Sequence, residues 1–268
     1  MQSAHRTDTG LIRLINEDRA AVRNEWNGFT LAIVADGMGG HQAGEIASQM
    51  AIEQIESALM QVHTGMTDDE RKESMRRAVV KANEDVFWFA SKQPRYQGMG
   101  TTVVAVLATP ETIIIGHIGD SRAYLLSGDA MNQLTEDHSL VNELIKSGQI
   151  TTEEAHVHPL RNVVTRALGT DKQVEVDIIE RSWKPGDMLL MCSDGLSGLV
   201  QEGEMQRIVA EPQSLDWKAN KLVDRALEEG GSDNVTVVLL ANVDNGEASA
   251  ADDAEHGVEN VVERRDDA

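Results

Sequence analysis

Residues 101–118 read TTVVAVLATPETIIIGHI. Two runs, Thr101–Ala108 and Thr112–Ile118, are apolar and rich in β-branched side chains, which favours strands over helix. Working outward, similar runs recur at Phe29–Ala35, Ala123–Leu126, Val176–Trp183, Asp187–Cys192 and Asn234–Val243. Asn27-Gly28 and Ser127-Gly128-Asp129 lie between apolar segments and read as hairpin turns. Between the strands come helices. One starts near Ala43, with Ile52, Ile55, Leu59 and Val62 at helical spacing. A second opens at Thr67, where Thr67 and Glu70 have the spacing of a capping box, and Met75, Val79, Val86 and Phe87 mark its buried stripe. A third covers Leu215–Glu229, and shorter pieces are expected at Ser139–Lys146 and Arg161–Leu168. Long helices do not alternate strictly with strands. That order disfavours a doubly wound parallel sheet and predicts an α+β fold of mainly antiparallel sheets with helices packed on them.

The chain has 268 residues, enough to bury about three quarters of its unfolded surface without disulfide staples. Lys and Arg number 24 against 45 Asp and Glu, a formal net charge of −21. Such a surface repels phosphate backbones and anionic lipid heads, so nucleic-acid and membrane binding are not expected. Cys192 is the single cysteine, which excludes an intramolecular disulfide and an all-cysteine zinc site. The N-terminus lacks an apolar signal region, and the apolar runs fall far short of a membrane span, so the expected location is the cytoplasm. Residues 244–268 carry nine acids and two arginines with three valines as apolar anchors, and read as a solvated, disordered acidic tail. No linker divides residues 1–243, which are expected to form one domain.

The chemistry lies at strand ends. Asp36 follows Phe29–Ala35, Asp120 follows the run ending at Ile118, Asp194 follows Asp187–Cys192, and Asp233 immediately precedes Asn234–Val243. In an antiparallel sheet the end of one strand lies beside the start of its neighbour, so all four carboxylates can share one rim. Two carboxylates about 4 Å apart repel by roughly 4 kcal/mol at an effective dielectric of about 20, and bound divalent cations reverse the sign. Oxygen-only ligands suit hard ions such as Mg²⁺ or Mn²⁺. One such aspartate alone would read as a turn residue; four in matching contexts point to a metal centre. The loop Asp36-Gly37-Met38-Gly39-Gly40-His41 leads into a helix start, a place suited to anions, but it matches neither a P-loop nor GxGxxG. His156-x-His158 precedes Pro159 in a polar stretch and reads as exposed loop.

The motifs form an ordered set: Asp8-x-Gly10-x-x-Arg13-x-x-Asn16-Glu17-Asp18, Asp36-Gly37-Met38-Gly39-Gly40-His41, Gly98-Met99-Gly100-Thr101-Thr102, Gly119-Asp120-Ser121-Arg122, Thr135-Glu136-Asp137-His138-Ser139, Ser193-Asp194-Gly195 and Ser232-Asp233-Asn234. The set, over roughly residues 3–243, resembles the PPM family, the type-2C metal-dependent protein Ser/Thr phosphatases, and in particular its single-domain bacterial members. The resemblance implies a four-layer α-β-β-α sandwich with a metal cleft at one end. It implies that Asp36 bridges two Mn²⁺ or Mg²⁺ ions, that the Gly37 carbonyl binds one, and that Asp194 and Asp233 hold the other. Asp120, with Asp194, resembles the ligands of a third, weaker ion. Asp18 resembles a residue that holds metal-bound waters, Arg13 one that clamps the substrate phosphate, and His41 a general acid for the leaving oxygen.

The implied reaction is hydrolysis of phosphoserine and phosphothreonine by attack of a metal-bridging water, without a phosphoenzyme. The implied partners are phosphorylated proteins, including a bacterial Ser/Thr kinase that the enzyme opposes as a monomer. The stretch 147–165 corresponds to a mobile flap beside the cleft. Two other readings stay open at this point: an inactive phosphoprotein-binding module on the same fold, and a hydrolase of small phosphomonoesters.

Overall fold

Phe29–Ala35 and Val103–Ala108 are buried at every residue, which a strand with one wet face cannot be. The computed structural model, which describes residues 1–39 and 42–243, supplies the reason: each of these strands is covered on both faces. The elements run β1 (Gln2–Asp8), β2 (Arg19–Trp26), β3 (Phe29–Ala35), β4 (Gly37–Met38), α1 (Ala43–Leu59) and α2 (Asp68–Ser91). Then come β5 (Gly100–Thr101), β6 (Val103–Ala108), β7 (Thr112–Ile118), β8 (Arg122–Ser127), β9 (Ala130–Gln133), α3 (Leu140–Lys146) and α4 (Thr152–His156). The chain continues with β10 (Asp177–Ser182), β11 (Met188–Cys192), α5 (Asp194–Ser197), α6 (Glu202–Ala210), α7 (Leu215–Glu228) and β12 (Val235–Ala241).

Two five-stranded antiparallel sheets form, in the orders β1-β12-β11-β8-β9 and β10-β7-β6-β3-β2. Alternation along each strand sorts side chains into layers. In β3, Ala32 and Val34 meet Leu189, Met191, Val238 and Leu240 of the facing sheet. Leu31, Ile33 and Ala35 point the other way, onto Ile52, Ile55, Leu59, Met75 and Val79 of α1 and α2. On the far side, Val235, Val237 and Leu239 of β12 pack with Leu222, Val223 and Ala226 of α7 and with Met205 and Val209 of α6. The result is the expected α-β-β-α sandwich.

Local sequence explains the boundaries. Asn27 and Gly28 both take positive φ, 51° and 88°, in the two-residue turn that pairs Trp26 with Phe29. The Thr67 hydroxyl accepts from the Glu70 N–H while Glu70 accepts from the Thr67 N–H, so the capping box starts α2. Strands β1, β2 and β9 lie at sheet edges with mixed or exposed faces, which is why no apolar run announces them. Helix α6 has only nine residues, too short for its Met205, Ile208 and Val209 to show a period. The expectation of a helix at Arg161–Leu168 is not met. Its backbone bonds sideways instead: the Thr165 N–H donates to the His138 carbonyl, and Leu168 and Thr101 exchange both backbone bonds. Lateral pairing uses the groups a helix would need for itself. Among the described residues no helix is long and apolar enough to cross a membrane. The acidic stretch 244–268 lies outside the described residues.

Candidate active site

The four strand-end aspartates do come together, though not along one sheet. Asp36 leaves β3 and Asp120 sits in the turn that carries the chain from β7 in one sheet to β8 in the other. Asp194 opens α5 just after β11, and Asp233 precedes β12, both on the second sheet. The shared rim is the end of the sandwich, because face-to-face packing sets the two sheet ends side by side. There the four carboxylates line a cleft of about 240 Å³ with Arg13 and Glu17. A larger hollow of about 370 Å³ lies at the opposite end of β3, around Gly28, Phe29 and Ala108. It has one carboxylate, Glu25, and no cluster of ligating groups, so volume does not mark the site; chemistry does.

Hydrogen bonds fix the Asp36 loop and Asp18. The Asp36 carbonyl accepts from the Thr102 N–H at 2.8 Å and the Thr101 hydroxyl at 2.9 Å, and the Asp36 N–H donates to Thr102 Oγ1 at 3.1 Å. Gly37 is needed for close approach: a Cβ there would lie 2.1 Å from the Gly44 carbonyl oxygen, where the first turn of α1 rests on the loop. Asp18 is buried, and its Oδ2 accepts from the Ser193 hydroxyl at 2.7 Å, while Ser193 Oγ also accepts from the Thr236 N–H. Asp18 Oδ1 is buried with no hydrogen-bond partner.

Asn234, 4% exposed, ties the N-terminal loop to β12. Its Oδ1 accepts from the Glu17 N–H at 2.8 Å, and its Nδ2 donates to the Thr9 carbonyl at 2.8 Å and the Ile15 carbonyl at 2.9 Å. That strap places Arg13, whose guanidinium donates to Asp233 Oδ2 at 2.7 Å.

The Asp120 turn is shaped from behind. The Gly119 N–H donates to His138 Nδ1 at 3.0 Å, which leaves the His138 proton on Nε2, facing Asp177 Oδ2 at 3.2 Å. His117 joins this pair to make a His-His-Asp group whose two histidines are buried and whose Asp177 is partly exposed. It is not built for an ion, because a metal-ligating histidine donates from its other nitrogen, whereas the other nitrogen of His138 accepts. Burial also pushes the His117 imidazole down to about 4, so it stays neutral. Beside this group, Arg122 donates to both oxygens of Asp137, at 2.9 and 2.7 Å, and to the Tyr124 hydroxyl.

The carboxylates of the cleft raise one another's pKa. Burial, followed by the charges of Asp194 and Asp233, pushes Asp18 up to about 7 against the hydrogen bond from Ser193. Burial and Asp194 raise Asp120 to about 7, and burial and Asp233 raise Asp194 to about 6. Asp36, under burial and four neighbouring carboxylates, is held well above the carboxylate range. Arg13 is the one cation among the cleft-lining residues described. An all-oxygen donor set of this charge, with the orphaned Asp18 Oδ1 aimed at no protein partner, fits hard divalent cations.

Comparison with known proteins agrees. The model of the protein phosphatase 2C family matches residues 12–230. The chain belongs to the protein phosphatase 2C family. It is 41% identical over 240 residues to the serine/threonine phosphatase stp of Listeria innocua, covering 90% of this chain and 95% of that protein. The serine/threonine phosphatase Stp1 from Staphylococcus aureus superposes with a TM-score of 0.85 at 34% identity, over 90% of this chain and 94% of that one. The catalytic domain of PstP, in complex with two manganese ions, superposes with a TM-score of 0.78 at 37% identity, over 91% of this chain and 98% of that one. This protein phosphatase 2C chain is a metal-dependent protein serine/threonine phosphatase.

Within the phosphatase cleft the structure brings together Arg13, Asp36, Gly37, Asp120, Asp194 and Asp233, with Asp18 buried directly behind them. His41 lies outside the described residues. Cys192 is fully buried, and burial pushes its thiol up to about 12, consistent with a packing role. Sequence reasoning assigned no role to Glu17, Thr102, His138, Ser193 or Asn234. All five sit inside the quoted motifs, so the signal was present, but their work is to bond segments far apart in the chain.

Proposed function

We propose that this phosphatase releases phosphate from phosphoserine and phosphothreonine in proteins by transfer to water, without a phosphoenzyme. Asp36, the Gly37 carbonyl, Asp194 and Asp233 would hold two Mn²⁺ or Mg²⁺ ions, and Asp120 with Asp194 a third, weaker one. When bound, such ions supply charge to the phosphoryl oxygens and make water a ready nucleophile near neutral pH. The observation that carries the reading is the convergence of these carboxylates around one cation, Arg13, in a single cleft.

The chain's own groups have distinct tasks. Arg13 stands half-exposed at the cleft with its fork toward Asp233, in reach of an entering phosphate, whose two oxygens it can bind together. Asp18, locked by Ser193, offers Oδ1 as a fixed acceptor that orients a water. Thr102 is spent on holding Asp36, and its hydroxyl is shared with Ser121 at 2.7 Å. Cys192 is buried as a thiol. Neither stands free as a nucleophile, which supports transfer to water. His41 is assigned the protonation of the leaving Ser or Thr oxygen. Residues 1–243 make up the phosphatase domain, with 147–165 as a flap, and the enzyme works as a cytoplasmic monomer opposing a bacterial Ser/Thr kinase.

The test is hydrolysis of an aryl phosphate and of a phosphothreonine peptide with Mn²⁺, with chelator, and by Asp36→Asn. Activity is expected only with metal, and the variant is expected at background. Chelator-resistant turnover would refute the mechanism. Arg13→Ala is expected to raise KM for phosphopeptide, and an unchanged KM removes its assigned role.

A further inference from the structure

Two segments beside the cleft break the pattern of the rest of the surface. Among the described residues ten large apolar side chains are exposed, and seven of them lie in residues 11–15 and 157–163. Leu11, Ile12, Leu14 and Ile15 surround Arg13, and Leu14 is 98% exposed. Val157, Leu160 and Val163 surround Asn162, which lines the same cleft as Arg13. In a chain with 45 acids, neither 9–16 (TGLIRLIN) nor 157–165 (VHPLRNVVT) contains one.

These side chains are exposed on a pinned backbone. Asn234 holds the Thr9 and Ile15 carbonyls, and the Leu11 N–H donates to the Gly231 carbonyl at 2.8 Å. On the other side the Leu140 N–H donates to the Val163 carbonyl at 2.9 Å and the Thr165 N–H to the His138 carbonyl at 2.8 Å. The first segment is not free to fold its apolar groups inward, and the second is held at Val163 and Thr165, so apolar surface around Arg13 and at Val163 is held open for a partner.

Resting on the phosphatase reading above, the geometry points to a substrate class: phosphoserine or phosphothreonine segments with apolar residues, Leu, Ile, Val or Phe, directly flanking the phosphorylated position. The occupant follows from continuity with the site. Arg13 sits between Ile12 and Leu14, so a phosphate taken by Arg13 brings the neighbouring residues of the peptide onto those side chains. On the rim segments themselves a basic flank finds no carboxylate to pair with, only Arg13 and Arg161. An apolar flank buries surface against Leu14 and Ile12 on one side and Val163 on the other.

The test is steady-state hydrolysis, with Mn²⁺, of phosphothreonine peptides identical except for Leu, Ser, Lys or Glu on both sides of the phosphorylated residue. The full chain is expected to show a KM about tenfold lower for the Leu-flanked peptide than for the Ser-flanked one, with similar kcat, as uniform binding requires. Ile12→Ser/Leu14→Ser is expected to erase that difference and leave p-nitrophenyl phosphate turnover and metal dependence unchanged. The single Leu14→Ser, at a side chain almost wholly in solvent, is expected to lose part of it and guards against misfolding of the double variant. Equal KM for all flanks, or a preference for Lys, overturns the proposal and leaves the phosphatase reading intact. Turnover of p-nitrophenyl phosphate with no phosphopeptide hydrolysed overturns both. A concentration-dependent dimer in light scattering that the double variant abolishes also overturns it, by assigning the rim to a second copy of the chain.

Discussion

Replacing Asn234 by Ala tests whether the N-terminal loop is positioned by one buried side chain. The substitution removes three hydrogen bonds, to the Glu17 N–H, the Thr9 carbonyl and the Ile15 carbonyl, at 2.8–2.9 Å. A typical intramolecular hydrogen bond contributes about 1 kcal/mol net, and a buried group left without a partner costs about 1–3 kcal/mol. Three bonds therefore give a loss of about 3 kcal/mol, provided water reaches part of the opened loop. For a domain of this size that corresponds to a fall in Tm of roughly 6–12 °C. Function should fall with it, because the loop carries Arg13 and leads into Asp18. The expected signature is a raised KM for phosphopeptide from the freed Arg13, measured alongside thermal melting by circular dichroism. Asn24→Ala is the control, since Asn24 shares only exposed bonds with Ser3 and should shift Tm little. If Asn234→Ala melts within about 2 °C of the parent and keeps its KM, the loop is held by other contacts and the positioning argument is wrong.

Further outcomes follow from the charges. Asp18 and Asp120 stand near 7 and Asp194 near 6 in the metal-free fold, against ordinary values close to 4. Between about pH 4 and 7 the folded metal-free chain keeps protons that the unfolded chain has released, so its stability falls as pH rises through that window. Divalent ions compete with those protons, so the Tm increase on adding Mn²⁺ is expected to be larger at pH 7.5 than at pH 5.5; an equal increase at both values contradicts the assignment. Arg122→Lys replaces a two-pronged contact to Asp137 by a single point charge and drops the bond to Tyr124. Guanidinium unfolding should report a loss of about 3 kcal/mol, and no loss would show that the pair is not structural.

The apolar strands were legible because burial on both faces leaves dense β-branched runs such as VVAVLA at Val103–Ala108. The capping box at Thr67 and the Asn27-Gly28 turn were legible for a similar reason: short-range geometry depends on the residues that make it. Edge strands β1, β2 and β9 were not, since strand identity there comes from one neighbour's backbone and not from side chains of their own. The segment 161–168 misled for the opposite reason: its helix-compatible residues are bonded sideways to Thr101 and His138.

By itself, the sequence indicated the kind of centre to look for. Four aspartates at strand ends, in ordered motifs, offer an oxygen-only donor set that suits hard cations once the fold gathers them. Tertiary structure alone decided that Asp36 and Asp120 meet Asp194 and Asp233 across two facing sheets rather than along one. It alone gave Asn234, Ser193 and His138 their work, because a hydrogen bond between residues 217 or 175 positions apart leaves no periodic trace in sequence. And it alone set the apolar loop around Arg13 against the segment around Asn162. Each is an ordinary run of residues until the fold sets both at the mouth of the same cleft.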